Sequence, residues 1–232
     1  MPRTARPDLQ EETRQAIKAT ARTLMREQGT AGLSIRAIAR AMNITAPALY
    51  HYYTNLDALL TDLIVDAFNA SADALEAALH ADPQASPAHR LAALLHAYRG
   101  WALRHPVEFQ LIYGNPIAGY SAPSEITVPV ASRTQVLFAQ ALDPLLRTGG
   151  ALNPALTHVP PTVADHLGAV LAAGGFPSEA LHPAYLGMLI WAQAHGLVIL
   201  ELHEHLPPSL GDVSAAYDQF IAATLAQLGA SP

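Results

Sequence analysis

The sequence predicts an all-α fold: a small head of three helices at the N-terminus, then a larger helical body, with about nine helices in all. Three observations carry that expectation. Strand-like alternation of apolar and polar residues is nearly absent. Apolar residues recur instead at spacings of three and four, the period of one helix face. Residues that start and stop helices, chiefly Ser, Thr, Asn, Gly and Pro, stand where those periodic runs begin and end. The 232 residues are 51% hydrophobic and 14% charged, ample for a packed core and unlike a disordered chain.

In chain order, Ile17, Ala21, Leu24 and Gln28 lie at helical spacing, and Gly29 and Gly32 end that helix. Ser34 is placed to cap a short second helix whose apolar face is Ile35, Ile38, Ala39 and Met42. Asn43 follows, a residue that tolerates the left-handed backbone of a tight turn. Thr45 then caps a third short helix with Pro47 in its first turn, where a missing N–H loses nothing. Thr54 or Asn55 caps a fourth helix with the stripe Leu56, Leu59, Leu60, Leu63, Ile64, Ala67 and Phe68, running toward His80. Pro83 and Pro87 break the chain before a helix over 88–104, and Pro106 opens another over 106–114. Residues 115–129 read as a loop, with Pro, Gly and Ser punctuation. Helical patterns resume at about 132–146, 161–173, 178–205 and 212–228, with Pro207-Pro208 separating the last two.

Composition excludes several classes. The chain has no cysteine, which removes disulfides, thiolate catalysis and Cys-based zinc sites and points to a reducing cytoplasm. The N-terminal residues are too polar for a signal peptide. The most apolar run, 186–200, is broken by Gln193 and His195 and is shorter than the roughly 20 residues of a membrane span, so it reads as a buried helix with no membrane partner. The net charge of −6 is unevenly spread: residues 1–60 hold eight basic and five acidic groups, and the remainder five basic and fourteen acidic. A basic head on an acidic body is the asymmetry expected when one end meets phosphates.

Residues 34–53, SIRAIARAMNITAPALYHYY, give helix, tight turn, helix, the DNA-binding helix-turn-helix arrangement. Arg36 and Arg40 are four apart on one helix face, and Arg3 and Arg6 lie on an N-terminal arm able to reach a groove or backbone. The stretch 44–53 has no lysine or arginine. It is expected to meet the groove through Ala46, Pro47 and Ala48 and the phosphates through Thr45, Tyr50, His51 and Tyr52, with Tyr53 facing inward. Residues 14–60 resemble the head of the TetR family of transcriptional regulators, on Arg14, Ile17, Ala21 and Gly29 followed by LSIRAIARAMNITAPALYHYYTNLDALL. The resemblance implies a homodimeric, repressor-type regulator of a palindromic DNA operator, its third helix in the major groove and its Thr45 and Tyr50 positions on phosphates. It also implies a division into a DNA-binding domain over 1–54 and a ligand-binding and dimerisation domain over 55–232. Two positions depart from the family pattern: Asn43 stands where glycine is usual, and Leu56 where lysine is usual, so that lysine's phosphate contact is not carried over.

In the body, Trp191, Ala194, His195, Val198 and Leu202 share one helix face and read as an interface or core stripe. Gly196 suggests the close approach of another helix. WAQAHGLVILEL at 191–202 is similar to a WHG-type ligand-binding domain, which implies a dimer formed by that helix and the last one, through Trp191, His195, Val198, Leu202, Tyr217 and Phe220. Trp101, Phe109, Tyr113, Tyr120 and Phe138 are the candidates for lining a pocket for a small-molecule effector, and serve equally as core filler. His203 and His205 are two apart, so a helix would point them to nearly opposite faces. Glu201 and His205 are four apart but lack a third and fourth ligand, so no metal or cofactor is expected. No phosphate loop, nucleophile elbow or H-E-x-x-H motif is present, and no catalytic residue is assigned. The rival reading is an all-α small-molecule or metal-binding protein with no DNA function.

Overall fold

The computed structural model describes residues 7–115, 117–148 and 150–230; Arg3 and Arg6 lie outside the described residues. The helices are α1 Pro7–Gln28, α2 Ile35–Ala41, α3 Ala46–Tyr50, α4 Leu56–Leu79, α5 Pro87–Arg104, α6 Pro106–Tyr113, α7 Ser124–Thr148, α8 Pro161–Ala173, α9 Leu181–Leu202, α10 Pro207–Leu210 and α11 Val213–Gln227. Nine of these eleven have seven or more residues, and no strand occurs among the described residues. The all-α expectation holds.

Local chemistry sets the boundaries. Ser34 Oγ accepts from Ala37 N at 3.1 Å and starts α2. Asn43 takes φ 55°, which turns the chain sharply between α2 and α3. Asn55, not Thr54, caps α4, its Oδ1 accepting from Ala58 N at 2.8 Å. Asp212 caps α11 through Ala215 N. One expected loop proves partly helical: α7 begins at Ser124, because the Pro123 carbonyl accepts from Ile126 N, Thr127 N and Thr127 Oγ1. Pro129 sits inside this helix near its start, where its missing N–H removes one bond of the ladder and leaves the rest.

The chain forms two compact units. The first takes residues up to Phe68 together with His105–Val130. Its core is Ile17, Ala21, Met25, Leu33, Ile35, Ile38, Leu49, Tyr53, Leu59, Leu60 and Leu63, with Val107, Leu111 and Tyr120 packed against it. Compactness therefore does not follow the 54/55 boundary, since the first half of α4 and all of α6 belong with the three-helix head. The second unit takes Asn69–Arg104 and the chain from Ala131 onward. Leu91, Leu94, Leu95 and Tyr98 of α5, Phe138, Leu142 and Leu145 of α7, Ile190, Ala194 and Val198 of α9, and Leu225 of α11 are buried there.

Within the second unit α9 departs from expectation twice. With the turn before it, it forms a helical stretch over 178–202, long and apolar enough by length and composition to cross a membrane, with 28% of its apolar 18-residue window buried. The helix lies within the expected 178–205, its apolar stretch is longer than the run 186–200, and it buries one face only. Leu186, Gly187, Ile190, Ala194 and Val198 face inward, while Met188, Leu189 and Leu200 are exposed. Within the chain a close helix approach comes at Gly187, where an added Cβ would stand 3.2 Å from Phe138 Cβ, while one at Gly196 would meet nothing of this chain within 4 Å.

The left-handed residue at 43 gives a direct test. Asn43→Val should lower stability to urea by about 1–2 kcal/mol, because a β-branched residue is strained at positive φ. Asn43→Gly, free of that strain, should stay within about 0.5 kcal/mol of the parent chain.

Candidate nucleic-acid interface

The α2–α3 pair sorts its side chains cleanly. Leu49 is fully buried and Tyr53 is 3% exposed, so both anchor the pair to the core, as the sequence leads one to expect of Tyr53. Arg36, Arg40, Thr45, Pro47 and His51 are exposed, and Tyr50 is 51% exposed although aromatic. Ala46, Ala48 and Tyr52 are half-buried, and Ala46 and Tyr52 pack against the head's core, so they present less to the exterior than the other candidates. Thr45 Oγ1 accepts from Ala48 N at 3.3 Å. Pro47 has no N–H and Ala48 N is bonded to Thr45, so α3 offers few free backbone donors at its start.

The head's positive charge is divided between two jobs. Arg14, Lys18 and Arg22, one turn apart on α1, face Asp62 and Asp66 of α4 and Glu108 of α6. Lys18 Nζ lies 2.8 Å from Asp66 and 3.6 Å from Asp62. Arg22 reaches Asp66 at 3.0 Å and Glu108 at 3.4 Å, and Arg14 reaches Asp62 at 4.0 Å. The Tyr53 hydroxyl donates to Asp62 Oδ2 at 2.5 Å beneath the Arg14 guanidinium. Burial, first, and the Asp62 carboxylate hold this phenol far above its usual pKa. Neither Arg36 nor Arg40 makes an ion pair among the described residues. In the sequence Lys18 and Arg22 register only as net charge, and Arg14 only as part of the family resemblance. Their signal was available: basic residues at 14, 18 and 22 and acidic residues at 62 and 66 form two ladders of opposite sign, each with a four-residue step.

The body candidates fall differently. In the first unit Phe109 is fully buried and Tyr113 sits against Phe68 and Phe109, with ring centroids at 5.7 and 5.1 Å. Tyr120 OH lies 2.9 Å from Thr61 Oγ1. In the second unit Trp101 is 3% exposed and Phe138 fully buried, with Tyr98 edge-on to Phe138. The buried members of the proposed effector pocket are therefore core aromatics here. A cleft of about 30 Å³ in the second unit is lined by Leu156, Leu186, Leu189, Ile190, Gln193, Thr224, Gln227 and Leu228, and by none of the aromatics proposed for the pocket.

Two of the residues proposed for a dimer interface are also enclosed by their own chain. Val198 is fully buried, and Tyr217 is 1% exposed with its hydroxyl donating to Leu95 O at 3.0 Å. His195 Nδ1 is hydrogen-bonded to Tyr98 OH at 2.8 Å, and Trp191 stacks on its ring at 5.2 Å. Trp191, Leu202 and Phe220 are half-buried. The stripe through 191, 195 and 198 thus leans inward, because its period fits the face that packs on α5. Arg99 binds Glu201 through two bonds of 2.7 and 2.6 Å, which removes Glu201 from any metal pairing with His205. His203 and His205 lie beyond the end of α9, where Glu204 takes φ 58°, and their rings are 6.2 Å apart. Among the described residues no group of three or more His, Asp or Glu is placed to hold a metal.

Comparison with known proteins decides the family. Residues 17–63 match the model of bacterial regulatory proteins of the tetR family, and residues 91–224 match the tetracyclin repressor-like C-terminal domain. The chain belongs to the TetR family of transcriptional regulators. It is 33% identical over 199 residues to the HTH-type transcriptional regulator Rv1816 of Mycobacterium tuberculosis, covering 85% of this chain and 83% of that protein. The regulatory protein SCO4313 has a solved structure that is 32% identical, with a TM-score of 0.75 over 96% of this chain and 100% of that one. The TetR-family regulator PfmR of Thermus thermophilus, at 17% identity and a TM-score of 0.59 over 88% of this chain and 96% of that one, shares the fold. The matched family and Rv1816 are transcriptional regulators, not enzymes, and this TetR-family chain is a regulator with them.

Burial lowers the pKa of His195 below the usual value of 6.5. The folded state therefore binds fewer protons than the unfolded one just below that value. The stability tied to neutral His195 is fully present above about pH 6.5 and is lost as the pH falls through the lowered folded value. Urea unfolding from pH 7.5 to 5 should show this decline in the parent chain and a shallower one in His195→Gln.

Proposed function

We propose that this regulator is a homodimeric repressor that binds a palindromic operator through α2 and α3 and is released by a small-molecule effector. The observation that carries the DNA contact is the sorting of charge in the head. Arg14, Lys18 and Arg22 of α1 are paired with carboxylates, while Arg36 and Arg40 stay exposed beside an uncharged α3 whose outward residues are Thr45, Pro47, Tyr50 and His51. Arg36 and Arg40 hold phosphates, assisted by Arg3 and Arg6 of the arm. Thr45, Tyr50, His51 and the edge of Tyr52 supply neutral donors, and Pro47 with Ala46 and Ala48 approaches the groove edges.

The dimer forms through α9 and α11, which gives the two heads a two-fold relation matching a palindrome. The face we assign is the outward one, with Leu189, Gly196 and Leu200 meeting the second copy, since Val198 and Tyr217 already support their own core. That use of the apolar face also accounts for the composition of α9 without a membrane. With no cysteine and DNA as its partner, the protein works in the cytoplasm. The effector acts by population shift: Val107, Leu111 and Tyr120 pack against the head's core, so a ligand that displaces them changes the support beneath α4.

Fluorescence anisotropy against salt concentration tests the DNA reading. Each phosphate contact adds about 0.9 to the slope of log K on log salt. Removing Arg36 and Arg40 from both protomers deletes four cations and should flatten that slope by about 3–4. A flat response in the parent chain, with no preference for any palindrome, defeats the proposal. For the dimer, sedimentation should give a mass near twice 24.6 kDa, falling to the single mass in Leu189→Glu/Gly196→Trp. Val198→Ala, by contrast, should lower stability while leaving the dimer mass intact.

A further inference from the structure

With five residues, α3 has almost no stability of its own, since isolated helices below about 12 residues are marginal in water. Its orientation must come from what holds it. Leu49 is fully buried and pins the helix to the core, but apolar burial is non-directional and leaves rotation about the helix axis weakly determined. The exit from α3 supplies direction. Tyr52 N and Tyr53 N both bond to Leu49 O, at 2.9 and 3.1 Å, so the backbone stays wound past Tyr50 and Tyr53 moves with the helix. Tyr50, the exposed aromatic of α3, stands three residues before Tyr53, so any rotation permitted at Tyr53 is carried to Tyr50.

Tyr53 is held by groups on two other helices. Its hydroxyl donates to Asp62 on α4, and its ring lies 5.1 Å beneath Arg14 of α1. Asp62 is fixed in turn by Lys18 at 3.6 Å, and Lys18 is locked to Asp66 at 2.8 Å with only 6% of its side chain exposed. A phenylalanine at this position would fill the same space. Only the hydroxyl gives the contact a direction, and only a carboxylate that cannot swing away makes the direction unique.

We propose that the Tyr53 hydroxyl and the Asp62 carboxylate, backed by Lys18, form a latch that sets the rotation of α3, making Tyr53 and Asp62 positioning residues for operator recognition. The inference rests on the DNA-binding function proposed above and adds residues that touch no DNA.

The operator is first selected by the parent dimer from random-sequence duplexes. Tyr53→Phe should then bind it about tenfold more weakly, the scale of one lost charge-assisted hydrogen bond. Affinity for random DNA, its salt slope and the melting temperature should change little. Asp62→Ala should lose operator affinity to the same degree, with a lower melting temperature because Lys18 and Arg14 lose a carboxylate. Asp62→Asn should recover part of the affinity through its amide oxygen, and the Tyr53→Phe/Asp62→Ala pair should bind operator no worse than either single change. Parent-like operator affinity in Tyr53→Phe overturns the latch, as does multiplication of the two single losses. A joint fall in operator affinity, random-DNA affinity and melting temperature in Tyr53→Phe also overturns it, reducing Tyr53 to core filler. If the parent dimer selects no sequence, the DNA-binding function fails and the latch falls with it, an outcome distinct from the others.

Discussion

The burial of the Lys18 ammonium between Asp62 and Asp66 is the constraint on which the head depends. A lysine with so little exposure keeps its charge only if carboxylates replace the water it has lost. Those carboxylates sit one turn apart on α4, so satisfying Lys18 fixes both the distance and the register of α1 against α4. Arg22 extends the same cluster to Glu108 on α6, and Tyr53 extends it to the end of α3. Four helices thereby share one set of charges. Since Asp62 and Asp66 keep about a third of their surface in water, at 33% and 31%, solvent screens part of each attraction. The cluster therefore sets geometry more than it adds stability.

This arrangement explains how an uncharged α3 can serve a polyanion. If the α1 cations faced outward they would add unselective attraction to DNA wherever it passed. Paired with carboxylates, Arg14, Lys18 and Arg22 act largely within the protein, while Arg26 at the end of α1 and Arg36 and Arg40 on α2 face outward with no ion pair among the described residues. The neutral donors of α3 can then position the chain without dominating the electrostatics.

In the second unit the same economy applies to α9. Its inward face is consumed by α5, α7 and α11, through Val198, the Tyr98–His195 bond and the close approach at Gly187. The Arg99–Glu201 pair ties the end of α9 to α5, and Arg99 also reaches Ser214 at the start of α11. What remains outward is apolar and bears no charge between Leu181 and Leu200, a surface suited to a second copy of an acidic body because it brings no like charges together.

The sequence alone determined the all-α class, the α2–α3 pair with its caps at Ser34 and Thr45, the left-handed turn at Asn43 and the inward turn of Tyr53. Each of these rests on local chemistry: side chain to nearby backbone, or a period read within one helix. The tertiary structure decided what stands across from each face. It turned Val198 and Tyr217 into their own protomer's core, placed a close helix contact at Gly187, made Trp101, Phe109 and Phe138 packing residues, and joined the ladder at 14, 18 and 22 to the one at 62 and 66. A helical period says that a face will be covered, but burial by the same chain and burial by a partner have the same period. Pairing of charges distant in sequence leaves no trace in either helix taken singly, because the attraction exists only once the fold has brought the two helices together.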